Sequence, residues 1–533
     1  MNDRTLVLGG LMGFLTVFQC AASLTVTSLA DSGPGSLRDR VAASVPGDTI
    51  VFSVTGTILL SSAININHTL YVRGPGPSAL TMDANHVDRV FVTAGDPVFI
   101  SGMTISNGFA AGPNGPDGGL GQNGSPGVNA QGGAIYDTGT TLILSNCWFE
   151  GNTAQGGRGG RGGDNLIGAV FTPGSGGNGG TGEGGALFSP GIITMVNCTF
   201  SHNRALGGNG GAGGTNFNIT AMPGGAGGKG GAGIGGGFDS SQDVNITNAT
   251  FSGNEVTAGS GGKGGDAMVV SGGQGGDGGS SFGGGIACLV ASFRNCTVVS
   301  NSAFAGTAGL GGNGSPPGLT GTPGIGQAGG IYGYTIVCLC KIGNSIVADN
   351  YADTIYTNYY IAFDDVGYNY IGSEDFVNCP FGSTTQVGSV ASPLHPQLRP
   401  LAQNGSGLPT HKPVYPGSPV IDAGQSVGVT TDERGAPRPY DFPSLPNAAG
   451  WDGNDIGALE LGLPDLGMGS SGGGGVVISW PAGYGDFTLE CTTNLSASNN
   501  WIVVSNVPVV IGNQLTVTNS VTGPMKLFRL ISQ

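Results

Sequence analysis

Charge is what this sequence has least of. Only 10% of its 533 residues are Asp, Glu, Lys or Arg, and 33 acidic residues outnumber 18 basic ones, which gives a formal net charge of −15. A protein that binds a phosphate backbone needs clustered Lys and Arg to displace the counterions. The composition therefore argues against nucleic acid as a partner.

Long apolar runs are also scarce. The run Leu6–Phe18 near the start has 13 residues, fewer than the ~20 needed to cross a bilayer. Because small residues follow it, it predicts a secretory signal over residues 1–23, cleaved near Ala22 or Ser23, with a membrane anchor as the alternative interpretation. No later run is long enough to span, so we expect an exported chain, secreted or on the cell surface, that does not cross the membrane once the signal is removed.

The nine cysteines lack the spacing of a metal site or of a dense disulfide framework. Cys147, Cys198 and Cys296 occupy one position of a repeat, which predicts small buried thiols stacked on one another. Cys338 and Cys340 lie two apart on a strand-like run and face the same side. We expect no metal and no cofactor, and the pairing of any disulfide stays open.

Glycine, by contrast, is abundant, with 107 residues, and apolar residues still make up 38% of the chain. The excess accompanies a repeat of 47 to 51 residues, seen in ILSNCWFEGNTA (143–154) and TMVNCTFSHNRA (194–205). Each unit has two Asn six residues apart and a glycine doublet with an apolar pair before them. The Asn columns are Asn146, Asn197, Asn248, Asn295 and Asn344, then Asn152, Asn203, Asn254, Asn301 and Asn350.

The repeated part of each unit is about 24 residues long, the size of one coil of a parallel β-helix. Such coils pair their backbones with the coils above and below, and Asn at a corner can adopt left-handed geometry and form a ladder with the next Asn. We therefore predict an all-β protein, a right-handed parallel β-helix, in which the Asn columns are structural.

The remainder of each unit is an insertion built from Gly-Gly-X triplets, such as GGRGGRGG and GGNGGTGEGG around DNLIGAVFTP (164–173). A period of three is typical of the polyproline II helix, which rises ~3.1 Å per residue. We predict five hairpins that leave successive coils at one corner and pack as a bundle, each arm projecting roughly 28 Å. The alternative is that the arms are flexible linkers.

Two regions resemble known families. The run SLRDRVAASVPGDTIVFSVTGTILL (36–60) and ISGMTISNG (100–108) resemble the start of bacterial secreted right-handed β-helix proteins of the polymorphic-surface-protein type, with a pectin-lyase-like fold. GSPVIDAG (417–424), DERGAPR (432–438) and DIGALE (455–460) resemble the choice-of-anchor Q region of bacterial surface proteins. The first run itself predicts a short helix at 36–44 and strands at 49–54 and 57–60, and the resemblance implies that the helix and the first of these strands cap the solenoid.

These features divide the chain into six segments. We expect a signal peptide (1–23), a cap with the first coils (24–110), the β-helix with its glycine-rich insertions (111–383), the choice-of-anchor-Q-like region (384–466), a Gly/Ser linker (467–475) and a small antiparallel, β-sandwich-like domain (476–533).

Catalytic side chains are few in the coils. Glycosidases need two facing carboxylates, and the adjacent Asp364 and Asp365 lack the flanking motifs of polygalacturonase-like enzymes, which favours a turn. His202 and Arg204 share a corner without an acid nearby in sequence, which favours solvated turn residues. We assign no catalytic, cofactor-binding or metal-binding residue, although acids from distant coils could still meet in space.

Two other features bear on binding. GGRGGDNLI (159–167) and GGKGGDAMV (261–269) match a calcium nonapeptide, but such sites need tandem copies, so Asp164 and Asp266 are not expected to bind calcium. The hairpin tips carry apolar residues that either form a binding surface or cap one another: Leu166, Ile167, Val170, Phe171, Phe217, Ile219, Met222 and Met268 to Val270.

Together these observations predict a non-catalytic bacterial surface or matrix protein that acts in adhesion or binds polysaccharide or cell-surface glycans through its β-helix and hairpins. The first alternative is a polysaccharide lyase or glycoside hydrolase of the β-helix type. The second is a structural spacer whose terminal module does the binding. The sequence does not indicate an oligomeric state.

Overall fold

The computed structural model describes residues 23–532 with gaps at 169–170, 220–221, 336, 375–378, 406, 427, 443–444, 446, 448–451, 465, 472–474, 482–483, 485–486, 495–500, 512–513 and 521–524. The predicted signal lies outside these residues up to position 22. In this part of the chain, no helix is long and apolar enough to cross a membrane.

The first coils carry a short capping helix. Helix α1 (Leu37–Ala43) begins at Ser36, whose hydroxyl accepts the Asp39 N–H, and it buries Leu37 and Val41, which share one face. The strands here are β1 (Ser23–Val26), β2 (Thr49–Phe52), β3 (Gly56–Leu59), β4 (Ile64–Ile66), β5 (Leu70–Arg73), β6 (Leu80–Asp83), β7 (Phe91–Thr93), β8 (Val98–Ser106) and β9 (Phe109–Ala111). The helix and the two strands that follow it agree with the prediction to within two residues.

The repeats form the predicted parallel β-helix. Their strands are β10 (Ala130–Gln131), β11 (Ile135–Asp137), β12 (Thr141–Glu150), β13 (Thr153–Gln155), β14 (Gly182–Glu183), β15 (Leu187–Ser189), β16 (Ile192–Ser201), β17 (Arg204–Leu206), β18 (Gly233–Ile234), β19 (Phe238–Ser252), β20 (Glu255–Thr257), β21 (Ser281–Phe282), β22 (Ile286–Val299), β23 (Ser302–Phe304), β24 (Gly326–Gln327), β25 (Ile331–Gly333), β26 (Cys340–Gly343), β27 (Ile346–Ala348), β28 (Tyr351–Ala352), β29 (Tyr359–Tyr360), β30 (Phe363–Gly367), β31 (Tyr370–Ile371) and β32 (Gln386–Val387).

Each coil runs through three long faces before it reaches the corner that carries the hairpin. The first face stacks β4, β7, β11, β15, the starts of β19 and β22, β25 and β29. The second face takes the first halves of β8, β12 and β16 and the middle segments of β19 and β22, and the third face takes the last segments of these five strands. Two short parallel ladders, β9 to β28 and β10 to β24, flank the corner.

Columns of identical residue types fill and bend the coils. Phe149, Phe200 and Phe251 stack inside with ring centroids 4.4 and 5.0 Å apart. Cys147 and Cys198 are in register and buried beside them, as predicted, whereas Ala249 separates Cys198 from the buried Cys296 in the same column. Burial raises the pKa of the Cys147 thiol to about 12. The coil core is thus continuous from one repeat to the next.

Both Asn columns are ladders, but only one is left-handed. Asn146 and its equivalents have φ between 50° and 54°, so they turn the chain between the second and third faces. The inner column, such as Asn203 and Asn254, hydrogen-bonds amide to amide at 2.9 Å while also capping backbone carbonyls. Buried Asn side chains therefore satisfy the corner groups that the strands leave unpaired.

The glycine arms are ordered by a backbone hydrogen-bond pattern that repeats every three residues. The outgoing arms are 112–119, 156–163, 207–214, 259–265 and 306–312, and the returning arms are 124–128, 174–180, 224–231, 272–279 and 318–324. In each inner Gly-Gly-X triplet, the first glycine donates to the next arm of its own layer, as Gly159 does to Asn209. The second donates between layers at 2.7 to 2.9 Å, as Gly211 does to Gly177. Ten arms thus form a two-layered bundle with the three-residue period of polyproline II.

The third residue of each triplet points outward, and at many positions a side chain of the neighbouring arm accepts its N–H. Asn209 Oδ1 accepts the Ser260 N–H, and Asn178 Oδ1 accepts the Lys229 N–H, both at 2.9 Å. Asp164 and Asp266 accept the N–H groups of Thr215 and Asn313 in the same way. The recurrent Asn and Asp at this position therefore complete the backbone hydrogen bonding of the bundle.

Prolines stand at the two edges of the bundle, where a neighbouring arm is missing. Pro113 and Pro116 occupy the second position of the first outgoing arm, which has no preceding arm to receive an N–H. Pro317 and Pro323 occupy the first position of the last returning arm, which has no following arm. The inner arms contain no proline. Proline at these positions removes N–H groups that would be left unpaired. It also prevents the backbone of another chain from hydrogen-bonding to either edge.

The region after the last coil folds back over the third face. Thr199 and Thr250 donate hydrogen bonds to Glu433, and Val299 and Ile346 pack against Val420 and Ile456 among other apolar residues. This region contains β33 (Ala402–Gln403) and β34 (Pro409–Thr410).

A disulfide joins Cys338 to Cys379, which the spacing of the cysteines in the sequence did not indicate. Cys338 precedes β26 and does not share that strand with Cys340.

The C-terminal domain consists of two small antiparallel sheets around Ile478, Trp480, Phe487 and Val517. Its strands are β35 (Gly467–Ser470), β36 (Gly475–Pro481), β37 (Phe487–Thr492), β38 (Ile502–Val503), β39 (Val509–Ile511), β40 (Gln514–Ser520) and β41 (Leu527–Ser532). The predicted linker 467–475 differs from expectation, because Gly467–Ser470 pairs with β36 as an edge strand. Backbone pairing needs no side chain, so a Gly/Ser run beside a regular strand can extend the sheet.

Candidate functional site

An aromatic strip runs along the outside of the first face. The strands of this face point their first residue inward and their second outward, so Tyr136, Phe188, Tyr332 and Tyr360 lie on the surface in register with Asp239. Phe282 and Tyr334 join them from neighbouring segments. We define the aromatic strip as these six residues: Tyr136, Phe188, Phe282, Tyr332, Tyr334 and Tyr360.

The rings of the strip contact one another in two groups. Tyr136 and Phe188 stack with centroids 5.9 Å apart, and Arg89 lies over the Tyr136 ring at 5.3 Å. At the other end Tyr332 lies 5.5 Å from Tyr360 and 4.8 Å from Phe282. Most of these rings are half-buried, so each keeps part of a flat apolar face in contact with solvent.

Asp239 lies between the two groups, covered by Tyr334. Its side chain is 4% exposed, and its Oδ1 accepts a hydrogen bond of 2.5 Å from the Tyr334 hydroxyl. Burial raises the pKa of Asp239 to about 7, and the negative charge of Glu183 adds to the rise. A carboxyl group with so high a pKa on an outer face marks this position as a functional-site candidate.

Glu183 is held on the neighbouring ladder by Gln131. Gln131 Nε2 donates to Glu183 Oε2 at 2.6 Å, and burial raises the pKa of Glu183 despite that hydrogen bond. Glu183 and Asp239 are thus two acids from different repeats that influence each other electrostatically. The strip therefore offers apolar ring faces together with hydrogen-bonding carboxyl groups.

The acids and bases singled out from sequence lie elsewhere. Asp364 and Asp365 are on strand β30 rather than in a turn, and Asp365 accepts hydrogen bonds from Gly367, Asn369, Gly382 and Thr385. The carboxylate of Asp365 therefore links two segments of the chain. It accepts hydrogen bonds from Gly367 and Asn369 just after it and from Gly382 and Thr385 in the segment before β32.

His202 and Arg204 do have acid partners, supplied by adjacent coils. His202 Nδ1 lies 3.1 Å from Glu150, and Arg204 pairs with Glu255 at 2.8 Å. Asp164 and Asp266 pair with Arg161 and Lys263 on their own arms. Among the residues that the structure describes, no group of three or more His, Cys, Asp or Glu could hold a metal ion.

A cavity of about 600 Å³ lies beside the C-terminal domain, away from the aromatic strip. Arg434, Tyr440, Glu460 and Tyr484 line it with several prolines. Its charged groups are already engaged: Arg434 pairs with Asp432 at 2.7 Å, and Glu460 accepts the Tyr440 N–H. These charges stabilise the fold of the region rather than face an open site.

The aromatic strip escaped the sequence analysis, although its signal was present. The apolar pairs after each glycine doublet, in GGAIY, GGALF and GGIY, look like core positions. Strand alternation exposes the second member of each pair, and GGGFD places Asp239 at that position.

Comparisons with known proteins add little. No family model and no curated protein matches the chain. Among solved structures there is a likeness to a springtail antifreeze protein from Granisotoma rainieri, described as a bundle of nine polyproline type II helices whose crystal waters match the ice lattice. It is 21% identical and covers 43% of this chain and 96% of that one, but the TM-score of 0.10 is too low to support an argument about fold or ligand.

Proposed function

We propose that this chain is an exported, non-catalytic bacterial surface or matrix protein that binds glycans along its β-helix. The observation that carries the proposal is the aromatic strip. The face of a sugar ring presents C–H groups, which pack well on an aromatic ring whose face is apolar and partly negative. Successive coils lie about 4.8 Å apart, so the strip offers repeated contacts to an extended polysaccharide.

The resemblance to polymorphic-surface-type β-helix proteins and to the choice-of-anchor Q region supports a location outside the cytoplasm. The composition also suits a neutral polymer, because 33 acidic residues against 18 basic ones give the chain a net negative charge that disfavours a strongly acidic polymer. The glycine hairpins project from the same solenoid and would carry a second contact surface away from the strip.

The test is retention on a panel of immobilised neutral and acidic glycans. We expect binding to at least one neutral polysaccharide, reduced at least tenfold by the pair Tyr332→Ala and Tyr360→Ala. Tyr351→Ala is the matched control, since Tyr351 is an exposed aromatic residue that contacts Phe304 on a different ladder. Equal loss with the control variant, or no retention on any glycan, would refute the proposal.

A polysaccharide lyase or glycoside hydrolase is the second candidate, and Asp239 is the observation that favours it. A carboxyl group with a pKa of about 7 can donate a proton at neutral pH, as a general acid does. Against it, Tyr334 must move before any substrate can reach Asp239. Release of reducing or unsaturated ends from the same panel, abolished by Asp239→Asn, would establish this candidate in place of the first.

The spacer hypothesis makes a different prediction. If the C-terminal domain alone attaches the protein, deletion of residues 476–533 will abolish cell attachment while the double Tyr variant retains it. If the strip binds glycans, the reverse pattern is expected.

A further inference from the structure

The tips of the first four glycine hairpins carry exposed apolar side chains. The isolated bridges Asn165–Asn216 and Asn216–Ala267 hold the tips of the second, third and fourth hairpins at one level. A Cβ added to Gly121 would lie 2.5 Å from Phe171 Cβ, so the first tip packs against the second. The tip surface comprises Leu120, Leu166, Ile167, Phe171, Phe217, Ile219, Met268 and Val269.

These side chains do not cap one another. Ile167 is 82% exposed and Ile219 is 80% exposed, and all eight members are exposed. The second of the two possibilities left open by the sequence, burial by mutual capping, is therefore wrong for these residues. Val170 lies outside the described residues, and Met222 and Val270 are only partly exposed.

The tips contrast with the edges of the same bundle. Prolines at positions 113, 116, 317 and 323 remove the edge donors, whereas none of the eight described members of the tip surface is a proline or is covered by another side chain to the point of burial. Charge does not protect them either, because the ion pairs Arg161–Asp164 and Lys263–Asp266 beside the tips are internally neutralised. Proline protects the two edges of the bundle from pairing with another chain, whereas the tip surface is exposed and apolar. Association with another molecule is therefore favoured at the tip surface.

We propose that the tip surface binds the tip surface of a second copy of this chain, forming a twofold dimer with the two β-helices at opposite ends. Eight roughly half-exposed side chains offer on the order of 100 Å² each, which gives about 800 Å² per partner, the area of a standard stable interface. A twofold contact needs a self-complementary surface, and an uncharged apolar line meets that need without matching charges.

The proposed dimer has its twofold axis at the third hairpin, the middle one of the three tips that are joined by bridges. Ile219 therefore lies close to Ile219 of the second copy, whereas Ile167 faces the fourth hairpin of that copy. The inference does not depend on glycan binding, since the strip lies on the solenoid and not on the hairpins.

Sedimentation velocity on residues 23–533, which include every described strand and the capping helix, tests the proposal. We expect a concentration-dependent monomer–dimer equilibrium whose dissociation constant rises at least tenfold in Ile167→Ser with Ile219→Ser. Val510→Ser is the matched control, because Val510 is an equally apolar exposed residue on strand β39 of the C-terminal domain. A wild-type chain that stays monomeric at about 100 µM overturns the proposal, as does a dimer lost in the control variant alone.

Cysteine cross-linking tests the symmetry. Ile219→Cys should give a disulfide-linked dimer under mild oxidation, whereas Leu310→Cys, on the side of the last hairpin, should not. Equal cross-linking at both positions contradicts the twofold geometry. Flotation of a monomeric chain with phosphatidylcholine vesicles, lost in the double Ser variant, would assign the tip surface to lipid and overturn the dimer.

Discussion

The coils and the glycine bundle follow the same repeat but are stabilised in opposite ways. In the coils, backbone ladders enclose a column of large side chains, of which Phe149, Phe200 and Phe251 are the clearest example. In the bundle, the arms approach so closely that there is no room for a side chain. A Cβ on Gly211 would lie 1.9 Å from the Gly160 oxygen. The coils are therefore stabilised by the packing of large side chains, whereas the bundle is stable only because glycine has no side chain to keep the arms apart.

This difference explains how so much glycine can be ordered. Glycine loses more backbone entropy on folding than any other residue, and the arms bury little apolar surface in return. They offset that cost with hydrogen bonds from both glycines of each inner triplet, together with Asn and Asp side chains that serve the third N–H. The coils supply the fixed spacing that brings the arms together, so we expect the bundle to form only on a folded solenoid.

The largest effect is expected from emptying the coil core. Phe200→Ala removes a ring that contacts both Phe149 and Phe251, so it should lower the free energy of unfolding by about 3–5 kcal/mol. Chemical denaturation followed by circular dichroism measures it. A loss below 1 kcal/mol would mean that the Phe column does not stabilise the coils.

The opposite change, adding one methyl group, should break the bundle. Gly211→Ala places a Cβ against the Gly160 carbonyl oxygen, a backbone atom that cannot move aside. It should lower the free energy of unfolding of the bundle by about 1–3 kcal/mol without a matching loss in the coils. Hydrogen exchange should accelerate in residues 207–214 and their neighbouring arms while the coils stay protected. The matched control is Ala212→Val at the outward position, which should change stability by less than about 0.5 kcal/mol. Equal effects of the two variants would contradict the packing.

The two regions should also respond to pH with opposite signs. Burial raises the pKa of Asp239 in the coils from 3.8 to about 7, so its stabilising contribution is complete below pH 3.8 and is lost as the pH rises through 7. In the bundle, hydrogen bonds from Thr322 and the nearby Lys229 lower the pKa of Asp277 to about 2, so its contribution is present above pH 3.8 and is lost as the pH falls through 2. The melting temperature, measured from pH 2 to 9, should fall at both the acidic and the neutral end of this range. Asp239→Asn should reduce the fall toward neutral pH, and Asp277→Asn should reduce the fall toward acidic pH.

The smallest effect concerns the edges. Pro113→Gly with Pro317→Gly should cost less than about 1 kcal/mol per site, because the main effect is that the unfolded chain gains freedom, and the carbonyl of Pro113, which accepts the Val128 N–H, is kept. The restored N–H groups should instead promote edge-to-edge association, visible as species larger than a dimer by light scattering. Unchanged mass at high concentration would show that the prolines do not limit assembly.

Much of the fold followed from spacing in the sequence. The Asn columns recur at 47 to 51 residues, and backbone pairing between coils puts equivalent positions in register, so the solenoid and the stacking of Cys147 on Cys198 could be predicted. The three-residue period likewise predicted the arms of the bundle. The turn assigned to Asp364 and Asp365 was wrong, because adjacent acids resemble a turn locally, whereas pairing with β26 holds them in a strand.

The candidate site was not predictable in the same way. Tyr136, Phe188 and Tyr332 each follow another apolar residue, so the pairs look like core positions until the strand boundaries show which member faces solvent. Burial and the charge of Glu183 on another ladder raise the pKa of Asp239, and Tyr334, 95 residues away in the chain, donates a hydrogen bond to its carboxyl group.

The sequence by itself determined the repeat, the solenoid and the glycine arms, because each depends on periodicity, which a single chain displays in full. Only the tertiary structure decided that the region after the last coil covers the third face, that Cys338 joins Cys379, that the aromatic strip lies outside and that the tips stay exposed. These features depend on contacts between segments far apart in the chain. Their free energy comes from burial and from the geometry of approach, which no local pattern encodes.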